Sequence, residues 1–291
     1  MEERYIPEVK LKKHLAGIIP VSGLRSDFNM PWHESLMPLG PNYLAVERSV
    51  AECAYAGCDT IWIVCADDTT PLIRYQVGEK IQDPVYSYRH FEINKGDVKK
   101  PIRIYYVPLA IKDINKRDNL AWSAIFGAQT AHKILGALSS HLAPEKFYIS
   151  WPYGYYHPWL LREHRKDFLE TNIVLENEGA TVKDNKYLGL TLNTQQIKFL
   201  VEESVSTSSG LWNENRDKRL SPQERYSYKN FGLSEVFKGL DILNYKKIII
   251  ENYHSIDCWE EYCNFLSIYK EIRKPSILKY SEWSEVGIDD L

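Results

Sequence analysis

Residues 14–23 read His14-Leu15-Ala16-Gly17-Ile18-Ile19-Pro20-Val21-Ser22-Gly23, a short apolar run that ends in a turn of small residues. This is the pattern of a buried strand feeding a tight loop. A polar, proline-bearing stretch follows over 24–41. Tyr43, Val46, Val50, Cys53 and Ala54 then recur at three- and four-residue spacing, which predicts an amphipathic helix closed by Gly57. Asp59-Thr60-Ile61-Trp62-Ile63-Val64-Cys65 is a second buried strand rich in β-branched residues.

The alternation continues outward from there. The pattern predicts a helix over 70–81 ended by Asp83-Pro84, a third strand over 102–108, a long Ala-rich helix over 118–138 and a fourth strand over 146–151. Strands alternating with helices at this spacing imply a mostly parallel sheet with right-handed crossovers. Ligands of such sheets sit beyond the carboxyl ends of the strands, so the loops of interest are 21–41, 66–71 and 152–158. From about residue 171 the rhythm changes. Short strands are expected over 172–176, 180–182 and 187–192, with turns at 177–179 and at Asp184-Asn185. A helix is expected over 194–203, a long polar loop over 204–227, a strand over 246–251 and a closing helix over 257–272. The segment after Pro275 has no clear period.

Composition sets the outer limits. The chain has 291 residues, with 36 Lys+Arg against 39 Asp+Glu, a formal net charge of −3. That balance argues against sequence-independent nucleic-acid binding. No run approaches the roughly 18–20 apolar residues of a membrane span, and the first residues lack the apolar core of a signal peptide. The five cysteines include no C-x-x-C pair and read as free thiols of a reducing compartment, so the expected location is cytoplasmic. With 20 Tyr, 8 Trp and 9 Phe, 13% of residues are aromatic. Their densest block, 151–159, falls in a ligand-facing loop, where rings suit stacking on a sugar or base and equally suit packing a lid onto the core.

The order of these blocks resembles the sugar-1-phosphate nucleotidyltransferases, such as the glucose-1-phosphate thymidylyl- and uridylyltransferases. Gly17-Ile18-Ile19-Pro20-Val21-Ser22-Gly23 stands where that family writes G-I-I-L-A-G-G, and Leu36-Met37-Pro38-Leu39 where it writes L-L-P-V. The helix end Ala54-Tyr55-Ala56-Gly57-Cys58 and the strand Thr60-Ile61-Trp62-Ile63-Val64 follow in the family's order. Asp118-Asn119-Leu120-Ala121-Trp122-Ser123 is similar to D-G-L-A-Q-A, and Ser255-Ile256-Asp257-Cys258-Trp259-Glu260-Glu261-Tyr262 to D-I-D-T-P-E-D-Y. The resemblance implies a three-layer α/β/α nucleotide-diphospho-sugar transferase-like fold with a mostly parallel mixed sheet. It implies a single domain over 1–291, with a nucleotide-binding core at 14–165, a sugar-side region at 166–273 and a tail at 274–291.

It also implies an activity: transfer of a nucleotidyl group from a nucleoside triphosphate to a sugar 1-phosphate, dependent on Mg2+, with release of pyrophosphate. Ser22, Gly23 and Leu24 would form the phosphate loop, Arg25 would be its catalytic cation, and Asn119 would approach the base or ribose. Tyr153, Tyr155 and His157 would face the sugar, and Asp257 would hold the metal. Ser22-Gly23 also reads as an ordinary strand-to-loop turn, Arg25 with Asp27 as a surface ion pair, and Asp257 as the N-cap of the following helix. Asp68 or Thr69 is expected to cap the helix after the second strand, with Pro71 in its first turn. His33-Glu34 offers an acid–base pair, while His132 and His141 form no ligand spacing.

The pattern also departs from the family. Glu34 occupies the place of a phosphate-binding lysine, no acid occurs in Trp151-Pro152-Tyr153 where one metal ligand belongs, and Ser255 takes the place of a second. These departures keep a second function open, a non-catalytic nucleotide- or sugar-nucleotide-binding or interaction protein on the same fold. A glycosyltransferase ranks lower, because no D-x-D motif occurs. A homo-oligomer is compatible with all three.

Overall fold

The computed structural model describes residues 13–23, 32–87, 101–114, 116–209, 221, 227–269 and 272–275. In chain order the strands are β1 (Leu15–Pro20), β2 (Pro38–Gly40), β3 (Tyr43–Leu44), β4 (Thr60–Cys65), β5 (Lys80–Ile81), β6 (Ile102–Pro108), β7 (Lys146–Ile149), β8 (Gly154–Tyr155), β9 (Ile173–Glu176), β10 (Leu190–Asn193), β11 (Lys246–Ile249) and β12 (His254–Ser255). The helices are α1 (Ala45–Ala56), α2 (Thr70–Val77), α3 (Pro84–Ser87), α4 (Leu120–Leu138), α5 (Arg165–Glu170), α6 (Thr194–Ser209), α7 (Leu233–Val236) and α8 (Trp259–Ile268).

Eight strands form one sheet in the order β11-β9-β10-β7-β1-β4-β6-β5. β7, β1, β4 and β6 are mutually parallel, while β10 and β5 run against their neighbours. β1 and β4 are buried along their whole length, as near-continuous apolar strands of a two-faced sheet must be. Their side chains alternate between two cores. Leu15, Ile19, Ile61 and Ile63 join α1, α2, α5 and α8 on one face. Ala16, Ile18, Trp62 and Val64 join α4, α6 and α7 on the other. This is the mostly parallel sheet that the alternation of strands and helices predicts, in the three-layer arrangement that the resemblance implies.

Local chemistry sets the element ends, and it corrects several boundaries. Gly57, at φ 90°, closes α1 in the left-handed conformation that glycine alone adopts at little cost. The helix expected over 70–81 stops at Val77, because Gly78 turns at φ 84° and Lys80–Ile81 add an edge strand to β6. Thr69 is its N-cap residue, but the Thr69 hydroxyl donates to the Ala66 carbonyl instead of capping. The expected strand at 180–182 is a single bridge, Asn177 with Ala180, followed by a 3-10 turn at Val182–Asp184. The helix beginning at Thr194 continues to Ser209, into the stretch expected to be loop. The closing helix spans Trp259–Ile268, shorter than the 257–272 pattern. The segment after Pro275 lies outside the described residues.

A strap formed by residues 272–275 crosses the α1 face. Lys274 Nζ donates to Glu47 Oε1 at 2.6 Å, and Glu47 is almost fully buried. Gly40 passes so close beneath the strap that a Cβ there would lie 2.4 Å from the Ile272 carbonyl oxygen. Nearby, the Tyr262 hydroxyl donates to the Pro38 carbonyl at 2.7 Å.

Candidate functional site

The carboxyl end of β1 meets the N-terminus of α4. Val21 and Ser22 amides both donate to the Val64 carbonyl, at 2.8 and 3.0 Å, which turns the chain away from the sheet. The Ser22 hydroxyl reaches Asp118 Oδ1 at 3.4 Å, and the Ser22 carbonyl accepts from the Ser123 hydroxyl at 2.8 Å. Gly23 has φ 95°, and a Cβ on it would lie 2.5 Å from the backbone carbon of Asn119. Asn119 itself is engaged at both ends of its amide. Oδ1 accepts the Trp122 amide at 2.7 Å as the N-cap of α4, and Nδ2 donates to the Tyr228 carbonyl at 2.7 Å. A helix leaves its first amides without intrahelical partners. With Trp122 satisfied, Leu120 and Ala121 carry that role here. Leu24 and Arg25 lie outside the described residues.

The second wall comes from the loop after β7. Tyr153 is fully buried, its hydroxyl donating to the Val21 carbonyl at 3.1 Å and its ring meeting Tyr187 edge-on at 5.7 Å. Tyr155 is also buried, against Phe265 and Tyr269. These two rings are core residues, not an outward-facing platform; His157 is exposed. β8 pairs with β12, and the Ile256 amide donates to the Tyr153 carbonyl at 2.9 Å. That docking brings Asp257 to the site. Asp257 Oδ1 accepts from the Ser255 hydroxyl at 2.8 Å. The N-cap position of α8 belongs to Cys258, so Asp257 is not the cap.

Charges of both signs face these walls: Arg117 lies 5.0 Å from the Trp122 ring, Lys186 acts on Glu261, and Glu34 acts on Tyr153. Glu34 Oε2 lies 3.8 Å from His33 Nδ1, which also accepts the Ser35 amide at 3.2 Å. Burial lowers the pKa of His33, and the Glu34 and Asp68 carboxylates oppose that shift. Burial, reinforced by the Glu34 carboxylate, pushes the Tyr153 phenol far up.

Among solved structures, the chain is similar to a protein assigned as a glucose-1-phosphate thymidylyltransferase from Bacillus anthracis, in complex with sucrose. Identity is 10%, coverage is 91% of this chain and 98% of that chain, and the TM-score is 0.56. The chain has the sugar nucleotidyltransferase fold. Two further structures match with lower scores. A UDP-glucose pyrophosphorylase complexed with UDP-glucose matches at 12% identity, with 90% of this chain and 100% of that chain covered and a TM-score of 0.47. A nucleoside-diphosphate-sugar pyrophosphorylase from Vibrio cholerae matches at 12%, with 86% and 99% covered and a TM-score of 0.47. No protein-family model matches the sequence, and no curated protein matches it.

Within this nucleotidyltransferase-like fold, Asp257, Cys258 and Glu261 form the metal-capable group among the described residues, with ligand atoms within 4.8 Å of one another. The donor chemistry fits Mg2+ in part. Two carboxylates are the hard oxygen ligands that Mg2+ takes, with water or phosphate completing its shell, whereas the Cys258 thiol is too soft to contribute. Burial and the adjacent Asp257 hold the Glu261 carboxyl above its usual range, as expected of two acids in need of a counter-charge.

One buried group escaped the sequence reading. Arg48 and Glu52 on α1 are fully buried and paired at 2.7 Å. Glu52 accepts hydroxyls from Tyr148, Tyr156 and Ser150, and Arg48 Nη2 donates to the Trp151 carbonyl at 2.5 Å. An i,i+4 Arg–Glu pair ordinarily marks a solvated helix face. No local pattern in α1 speaks against that reading; the partners that bury the pair lie about a hundred residues away.

No helix among the described residues is long and apolar enough to cross a membrane.

Proposed function

We propose that the chain transfers a nucleotidyl group from a nucleoside triphosphate to a sugar 1-phosphate at the carboxyl edge of its sheet. The observation that carries this reading is the seating of Gly23 on Asn119. It sets a glycine turn against the amide-rich end of a 19-residue helix, an arrangement that suits phosphate oxygens. The sugar phosphate oxygen would attack the α-phosphorus in line, forming a new P–O bond. The bond from that phosphorus to the β-phosphate oxygen breaks, and pyrophosphate leaves with the electron pair. Backbone amides of Gly23, Leu120 and Ala121 and the side chain of Arg25 would hold the triphosphate. Asp257 and Glu261 would hold Mg2+, which supplies charge neutralisation at the α-phosphate when bound. His157 is the exposed candidate for contact with the sugar.

The test is pyrophosphate release from each nucleoside triphosphate with Mg2+ and a panel of sugar 1-phosphates. Release that falls at least 10-fold in Asp257→Asn is expected, and no release from any pair overturns the reading. Glu34 favours a second reading, binding without turnover, because it places a carboxylate where the resemblance calls for a lysine. Nucleotide-dependent thermal stabilisation without pyrophosphate release would select it.

A further inference from the structure

We infer that Arg48 and Glu52 are positioning residues for the Asp257 side of the candidate site, an inference that rests on the cation-holding role proposed for Asp257. Taking two charges out of water costs desolvation free energy. A fully buried ion pair is not by itself a net stabiliser, since apolar residues of similar volume often serve as well. This pair, however, carries bonds that apolar residues cannot make. The Glu52 carboxylate accepts the hydroxyls of Tyr148, Ser150 and Tyr156, and the Arg48 guanidinium spans from Glu52 to the Trp151 carbonyl and to Ser49 Oγ, 3.0 Å away. The Arg48 guanidinium also lies 5.0 Å from the centroid of the Tyr156 ring.

These contacts hold both ends of one short segment. Tyr148 is in β7, Ser150 and Trp151 leave it, and Tyr156 follows β8. Between the held ends, Tyr153 presents the carbonyl that accepts the Ile256 amide, and Gly154 pairs with Ser255. Ser255 in turn donates to Asp257 at 2.8 Å. A continuous path of hydrogen bonds and backbone therefore runs from the α1 ion pair through the turn after β7 to the Asp257 carboxylate. α1 does not touch the ligand in this scheme; it sets where the β12 segment docks.

The experiment compares Arg48→Met/Glu52→Leu with the unaltered protein by amide hydrogen exchange and by Mn2+ titration. Exchange at Ile256 is expected to accelerate at least 10-fold while Ile18 in β1 keeps its protection, and Mn2+ affinity is expected to fall about 10-fold. Unchanged Ile256 exchange in a folded double variant overturns the inference. If the double variant does not fold, Ser150→Ala/Tyr156→Phe keeps the ion pair and removes two of its holds, and the same acceleration at Ile256 is required of it. Failure of the unaltered protein to bind Mn2+ would instead sink the role proposed for Asp257, and the exchange readout would still decide the positioning.

Discussion

Gly23 and Asn119 are in backbone-to-backbone contact: a methyl group on residue 23 would sit 2.5 Å from the Asn119 carbonyl carbon and 2.7 Å from its α-carbon. Neither neighbour is a flexible side-chain end, so the clash cannot be relieved cheaply. The positive φ adds about 1–3 kcal/mol for any other residue. Gly23→Ala is therefore expected to lower the thermal midpoint by several degrees. Gly179→Ala provides the control, since Gly179 shares a positive φ of 81° with nothing within 4 Å of its added Cβ. Equal losses in the two variants would contradict the contact.

Gly127 offers a contest between two effects of known size. In isolation, Ala in place of Gly stabilises a helix interior by about 1 kcal/mol. Here the added Cβ would lie 2.5 Å from Val64 Cγ2 and 2.9 Å from Ile18 Cγ2, where α4 packs on β1 and β4. Overpacking of this kind costs about 1–3 kcal/mol. Packing should win, and Gly127→Ala should unfold at lower denaturant; a rise in the midpoint would show that α4 can shift.

Tyr153 and His157 should separate in opposite ways. Tyr153→Phe removes one buried hydrogen bond, to the Val21 carbonyl, and is expected to cost about 1 kcal/mol of stability. His157 is exposed, so His157→Ala should stay within about 0.5 kcal/mol. Chemical denaturation of both variants checks the contrast.

The buried tyrosines set an alkaline limit. Tyr148, Tyr153 and Tyr156 all have pKa values raised by burial far above 10, and Tyr155 is pushed up to about 12. In the unfolded chain each ionises near 10. A raised folded-state pKa contributes stability that is complete below the unfolded value and lost as pH rises toward the folded one. Stability should therefore fall steadily above about pH 10, with phenolate absorbance of these residues appearing together with loss of near-ultraviolet dichroism. Ionisation ahead of unfolding would show that the rings are accessible.

The strands were legible because buried parallel strands need uninterrupted apolar, β-branched runs, and 15–20 and 60–65 are such runs. Gly57 was legible for a similar local reason. The boundary at Gly78 was missed because apolar spacing continued through Ile81, although the backbone had already turned. At the site, Ser22, Gly23, Asn119 and the 153–157 loop all lie at the carboxyl edge of the sheet, as the alternation of strands and helices implied. Whether a ring there faces out or in is decided by contacts far away in sequence. Tyr153 is buried by Val21, 132 residues distant. Glu52 finds Tyr148, Ser150 and Tyr156 from 96 to 104 residues away, and no local pattern carries that information.

The strap over α1 sets an order of events during synthesis. Glu47 and Lys274 are 227 residues apart, and Pro38 and Tyr262 are 224 apart. Loop-closure entropy grows by only about 0.6 kcal/mol per doubling of length, so the finished contacts are affordable in equilibrium terms. Time is the larger matter. A nascent chain that has formed β1 and α1 must wait for Lys274, 227 residues after Glu47, to leave the ribosome before the two meet. Until then the Glu47 carboxylate keeps its bond from the Leu44 amide but lacks its lysine, and the α1 face stays uncovered; that interval is when a chaperone would have most to protect.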